Sequence, residues 1–99
     1  MAAYLIASIE VQDRDGFDAY RERVVAVIEQ YGGRYLVRGG AVHPLEGDLG
    51  IKRLVVVEFP SLDAARRFYD SEAYAPLLKL RAGSTVSQVA LVEGVAPPV

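Results

Sequence analysis

Leu54-Val55-Val56-Val57, inside the segment Lys52–Phe59, places four branched apolar residues side by side. Such a run suits a central strand that is buried on both of its faces. A chain holding it must find cover for two sides of a sheet. Ala3–Val11 sets Leu5, Ala7, Ile9 and Val11 against Tyr4, Ile6, Ser8 and Glu10, a period of two that marks a second strand. Thr85–Glu93 does the same with Val86, Gln88, Ala90 and Val92 against Ser87, Val89, Leu91 and Glu93. Arg34–Arg38 alternates as well. Gly39-Gly40 then permits a bulge or bend, and Ala41–Leu45 continues the strand up to the polar loop Glu46–Gly50.

Helical spacing fills the intervals. Asp13 is placed to cap a helix whose Phe17, Tyr20, Val24, Val27, Ile28 and Tyr31 recur every three or four residues, and Gly32-Gly33 ends it. After Pro60, Ser61 caps a second helix with Asp63 in its first turn and Ala64, Ala65, Phe68 and Tyr69 facing inward. A break is expected near Asp70–Ser71, followed by a turn carrying Tyr74, Leu77, Leu78 and Leu80. The order βαββαβ predicts an α+β, ferredoxin-like fold: a four-stranded antiparallel sheet, order 4-1-3-2, with two helices on one face. At 99 residues the chain is expected to form one domain over 1–99, with an ordered core of about 3–94.

Sorting the strands by phase gives two unlike faces. Leu5, Ala7, Ile9, Val11, Tyr35, Val37, Val55, Val57, Phe59, Val89 and Leu91 form the layer for the helices to cover. The opposite layer holds Tyr4, Ile6, Leu36, Leu54, Val56, Val86, Ala90 and Val92, which is too apolar to be left in water. Hydrophobic residues make up 52% of the chain, and this second face is where the surplus falls. At roughly 25 cal/mol per Å², covering a few of these side chains is worth several kcal/mol, so a homodimer packed sheet to sheet is expected.

Ser8, Glu10, Arg38, Glu58 and Gln88 are the polar exceptions in that layer. In the expected strand order Arg38 faces Glu58 across strands two and three, and Ser8 meets Gln88 across strands one and four. These residues line a cavity shared by two sheets, either as a structural ion pair or as a ligand site. Tyr69 and Tyr74, with hydroxyls at a helix end, are further ligand candidates. His43 is the single imidazole, so any His-dependent proton transfer rests on it.

Other classes are excluded by what is missing or scattered. The chain has no Cys, which rules out a disulfide scaffold and a Cys-rich zinc site. Neither zincin spacing nor an EF-hand loop is present, and the glycine pairs lack a phosphate-loop context, so neither metal nor cofactor is expected. A net charge of -2, with Arg21, Arg23 and Arg34 forming no continuous stripe, argues against nucleic acid as a partner. No apolar run approaches the roughly 18–20 residues of a membrane span. The N-terminal segment reads as a strand rather than a signal sequence, and a cytoplasmic location is expected.

The combination Tyr31-Gly-Gly-Arg-Tyr-Leu-Val-Arg-Gly-Gly40, Leu45-Glu-Gly-Asp48, Val57-Glu-Phe-Pro-Ser61, Ala64-Ala65-Arg66, Phe68-Tyr69-Asp70-Ser71 and Leu91-Val-Glu-Gly94 resembles domain-of-unknown-function family 1330 over nearly the whole chain. The resemblance implies a protomer of the dimeric α/β-barrel superfamily, whose members include cofactor-independent monooxygenases, muconolactone isomerase-like enzymes, stress-responsive barrels and haem-binding enzymes. Arg38, Gly39, Gly40, Glu58, Tyr69, Tyr74 and Glu93 fall on its motif and are the residues it carries over, whereas His43 does not. Two departures stand out: Leu49 follows Asp48 where relatives often have an aromatic, and Arg14 follows Asp13 where many have Pro. The expected function is binding of a small polar or anionic organic molecule in or beside the inter-sheet cavity, with Arg38, Glu58, Ser8, Gln88 and Tyr74 as its contacts. Two alternatives stand beside it: a cofactor-independent monooxygenase or isomerase using His43 or Tyr69, and a structural dimer without ligand.

Overall fold

The structure, a computed structural model, describes residues 1–95. Its elements are β1 (Ala3–Val11), α1 (Arg14–Gln30), β2 (Arg34–Gly40), β3 (Leu54–Phe59), α2 (Leu62–Tyr69), α3 (Ala75–Ser84) and β4 (Thr85–Glu93). The four strands form one antiparallel sheet in the order β2-β3-β1-β4, the order expected from the sequence. This is the ferredoxin-like α+β fold.

Local chemistry explains the boundaries. The Asp13 carboxylate accepts from the Gly16 amide at the start of α1, and Ser61 Oγ accepts from the Ala64 amide at the start of α2. Gly32, at φ 80, turns the chain out of α1 in the left-handed region that a side chain disfavours. The expected break after Tyr69 is real and splits the second helical segment, so three helices rather than two cover the sheet. Ser71 holds the junction: its hydroxyl donates to the Phe68 carbonyl at 2.8 Å and accepts from the Tyr74 amide at 3.1 Å. Pro76 sits in the first turn of α3, where no amide is needed. That helix runs past Leu80 to Ser84 and so brings Arg81 onto its buried stripe with Leu77.

The helix-covered face packs Leu5, Ala7, Ile9, Val57 and Phe59 against Phe17, Val24, Ile28, Ala65, Phe68, Tyr74 and Leu77. The other face leaves Ile6, Leu36, Val86 and Val92 exposed, as the strand phases predict.

Strand β2 departs from the expected phase. Tyr35 lies opposite Val57, but Val37 lies opposite Val56, so Leu36 is an extra residue and the register shifts by one. A one-residue shift exchanges faces for everything beyond it. Val37 therefore leaves the core layer for the helix-free face, and Arg38, opposite Val55, moves to the helix-covered face. A second irregularity falls at Gly39, between Arg38 and Gly40, where the glycine pair allows it. The strand ends at Gly40; Ala41–Leu45 does not prolong it, and the chain from Ala41 to Arg53 is irregular. Val11, at the end of β1, is exposed rather than part of the core.

Candidate functional site

The bulge at Leu36 separates the residues that simple alternation puts together. Glu58 stays on the helix-free face, opposite Tyr4 of β1 and Arg34 of β2. Its carboxylate accepts from Arg34 Nε at 2.8 Å. Arg38 is on the other side of the sheet, so the expected Arg38–Glu58 pair does not form. Ser8 and Gln88 do lie directly opposite one another, and Ser8 Oγ accepts from the Lys52 amide at 3.2 Å. They border a shallow groove with Ile6, Leu54 and Ala90 on the helix-free face.

The remaining expected site residues are dispersed. His43 lies in the exposed loop after β2, among Val42–Ile51. Tyr69 borders a separate groove with Arg66, Asp70 and Leu91, although its ring centroid is 5.5 Å from that of Tyr74. Glu93 is exposed at the end of β4. Tyr74 alone joins Arg38 at an enclosed site. Among the described residues no group of three His, Asp or Glu side chains is placed to hold a metal ion.

That enclosed site is a cavity of about 40 Å³ between the sheet and the helices, space for about three waters. Its apolar wall comes from Ala7, Ile9, Val55, Phe17 and Phe68, and its polar lining from Tyr20, Tyr35, Tyr74, Arg21, Arg38, Arg53 and Arg81. No carboxylate lines it. In a chain of net charge -2 this is a local concentration of positive charge.

None of these arginines forms a salt bridge with a described residue. Arg81, only 6% exposed, donates from Nε to the Tyr74 hydroxyl at 3.3 Å, and the Tyr74 and Tyr20 hydroxyls are 3.0 Å apart. Burial is the largest single influence on Arg81 and opposes its charge, but Tyr74, Tyr20 and Tyr69 together outweigh it, and the guanidinium stays cationic. Burial, together with Tyr74, pushes the Tyr20 phenol well above the ordinary tyrosine range against the opposing pull of Arg81, so Tyr20 is a neutral hydroxyl. Burial likewise raises Tyr35, with Arg38 acting in the opposite direction.

Toward the outside, Arg38 lies 4.6 Å from the Tyr35 ring centroid and donates from Nη2 to the Arg21 backbone carbonyl at 3.1 Å, tying β2 to α1. Arg53 lies 5.5 Å from the Phe17 ring centroid, and its buried Nε has no hydrogen-bond partner among the described residues. Its guanidinium occupies the place that a side chain on Gly39 would need, and Gly39 itself has φ 77. Position 39 thus requires glycine for both backbone and space. Beyond Arg53 the cavity meets an outer hollow lined by Val11, Arg14, Phe17, Asp18 and Arg21.

Sequence alternation does not single out Arg53, Arg81, Tyr20 or Tyr35 as site residues. One signal for Arg81 is present: it stands four residues after Leu77 and seven after Tyr74, the spacing of a single helix face.

The fold places the molecule with small ferredoxin-like proteins. Residues 2–95 match the family model for a domain of unknown function, DUF1330, and the chain belongs to that family. Among solved structures it is similar to a protein of unknown function from Rhodopseudomonas palustris, at TM-score 0.76 and 17% identity, covering 97% of this chain and 84% of that one. It is also similar to SnoaB, a cofactor-independent oxygenase from Streptomyces nogalater, at TM-score 0.63 and 15% identity, covering 97% and 95% of the two chains. A dimeric ferredoxin-like protein of unknown function from Jannaschia matches at TM-score 0.64 and 12% identity over 95% of this chain and all of that one (100%). No curated protein matches the chain.

Proposed function

We propose that the protein is a cytoplasmic, single-domain homodimer, paired through its helix-free sheet faces, that binds a small anionic organic molecule in the cavity between sheet and helices of each protomer. The observation that carries the ligand reading is the set of arginines: Arg38, Arg53 and Arg81 reach one cavity and none makes a salt bridge with a described residue. Of these Arg81 is buried, and a buried cation without a counter-ion is costly; an anionic ligand supplies the missing charge. Arg38 is kept as an anion contact, now beside Arg53 and Arg81 instead of Glu58. Tyr74 is kept as a ligand contact through its hydroxyl. Glu58, Ser8 and Gln88 fit the sheet-to-sheet contact instead, where Ile6, Leu36, Val86 and Val92 are exposed at 36–57%. The likeness to a dimeric ferredoxin-like protein supports the pairing.

Titration calorimetry with a panel of small monocarboxylates tests the ligand reading. A subset is expected to bind, Arg81→Met to weaken that binding at least about tenfold, and Arg34→Met, on the other face, to leave it unchanged. A wild-type protein that binds no anion overturns the reading.

The likeness to SnoaB favours a second reading, cofactor-independent oxygenation, with proton transfer assigned to the Tyr20–Tyr74 hydroxyl pair in place of His43 or Tyr69. Oxygen uptake across a panel of phenolic polyketide-like substrates is its test, and no uptake with any of them removes it.

A further inference from the structure

The buried polar groups of the cavity all lack the same kind of partner. Arg81, 6% exposed, has among the described residues one side-chain hydrogen bond, from Nε to the Tyr74 hydroxyl at 3.3 Å. A guanidinium also carries donors on Nη1 and Nη2, and these are left over. The hydroxyls can be counted in the same way. Tyr20 and Tyr74 own one hydrogen each, and their mutual bond at 3.0 Å uses one of the two. The Tyr74 oxygen already accepts from Arg81, so the pair has a hydrogen to give and no described residue to receive it. Donors grouped around a buried positive charge call for an acceptor that is itself negative.

The space available sets the size of that acceptor. About 40 Å³, the room of about three waters, is close to the bulk of a carboxylate of one or two carbons. Formate fits with room over, acetate fills the space, and each further methylene must displace packed side chains. The wall facing the donors is apolar, and Ile9, Phe17 and Phe68 in it are each no more than 4% exposed, so it yields little. A hydrogen or a methyl group suits such a wall. A hydroxyl or an ammonium would lose its water there without finding a partner, which rejects glycolate and glycine. An outer hollow shares Phe17, Arg21 and Arg53 with the cavity and gives the approach from solvent, where Arg14, Arg21 and Arg53 outnumber Asp18 and draw an anion inward.

Resting on the anion-binding reading above, we infer that the ligand is a carboxylate of one or two carbons, formate or acetate, enclosed whole beside Arg81. One oxygen accepts from an Arg81 Nη, the other accepts from the Tyr20–Tyr74 pair, and the hydrogen or methyl group turns to Ile9, Phe17 and Val55. The exposed Arg38 and the half-buried Arg53 lie toward solvent and guide the anion to that place.

A ligand of this size reaches a Kd of about 40 µM at best, so the test is an NMR titration, which reads weak binding and its location together. The wild-type protein in chloride-free buffer is titrated with formate, acetate, propionate, butyrate and benzoate. Formate and acetate are expected to saturate and to shift the amides of Tyr20, Tyr74 and Arg81. Propionate is expected to bind at least about tenfold more weakly than acetate, and benzoate not to bind. Val55→Ala widens the wall and is expected to narrow the gap between acetate and propionate. If propionate and benzoate bind as tightly as acetate, or if acetate shifts only the amides around Arg38, the enclosed short carboxylate is overturned while the anion reading stands. Binding of no carboxylate removes both. An unchanged gap in Val55→Ala also overturns the size assignment, and because the wild-type series stands alone, a variant that fails to fold does not shield the proposal.

Discussion

The two faces of the sheet treat their polar residues in opposite ways. On the helix-free face Arg34 has Glu58 and Ser8 has the Lys52 amide, and these groups sit in a layer that is otherwise apolar and open to water. On the helix-covered face the exposed Arg38, the half-buried Arg53 and the buried Arg81 line one cavity without a carboxylate among them. Paired polar groups among exposed apolar ones suit a surface that meets another protein, where unpaired charge would be penalised. Arginines that converge on one cavity without an acid suit a surface that meets a small charged molecule.

The largest effect is expected from breaking the open face. Val56→Arg puts a charge at the centre of the sheet, and its counterpart would meet it across a two-fold contact. Sedimentation or light scattering should show dimer for wild type and monomer for the variant, a weakening of at least about a hundredfold. A wild-type protein that is monomeric at micromolar concentration would end the sheet-to-sheet comparison itself. A smaller effect is expected under the helices from Gly39→Ala. The left-handed backbone resists a side chain and Arg53 must move aside, so chemical denaturation should report a loss of about 1–3 kcal/mol together with weaker anion binding. Unchanged anion affinity would show that Arg53 takes no part in the site.

The smallest effect sharpens the comparison through pH. Tyr20 is held neutral in the fold above its ordinary value near 10, so the unfolded chain ionises first. Its contribution to stability is complete below about pH 10 and declines as pH rises beyond it, by roughly 1 kcal/mol per unit. Denaturation midpoints from pH 8 to 11 in wild type and Tyr20→Phe should therefore converge at the alkaline end. Parallel curves would mean that Tyr20 ionises freely in the fold.

Most of the architecture is legible because it rests on periodicity. The alternation in β1 and β4, the apolar run of β3 and the capping residues Asp13 and Ser61 each carry a local physical signal that the folded chain obeys. Ser8 and Gln88 are opposite one another because both strands keep their phase. Arg38 is misplaced by alternation because one extra residue, Leu36, enters β2, and Tyr-Leu-Val-Arg has no glycine to announce it. Arg81 is hidden for a different reason. A charged residue just beyond a plausible helix end looks like surface, and only the continuation of α3 to Ser84 turns it inward. The cavity is thus least legible where it depends on a bulge and on a helix length, neither of which composition encodes.

The extra residue at Leu36 has a consequence for how the molecule can change. Arg34 and Arg38 are four apart and would share a side in an unbroken strand; the bulge acts as a phase shifter that delivers one to the helix-free face and the other to the helix-covered face. On each side of it the strand supplies both faces: Tyr35 and Arg38 line the cavity, while Arg34 and Val37 lie on the helix-free face. Deleting that single residue would remove the bulge while leaving Val37 opposite Val56 and Arg38 opposite Val55, so both would keep their faces and the strand would lose only its local irregularity.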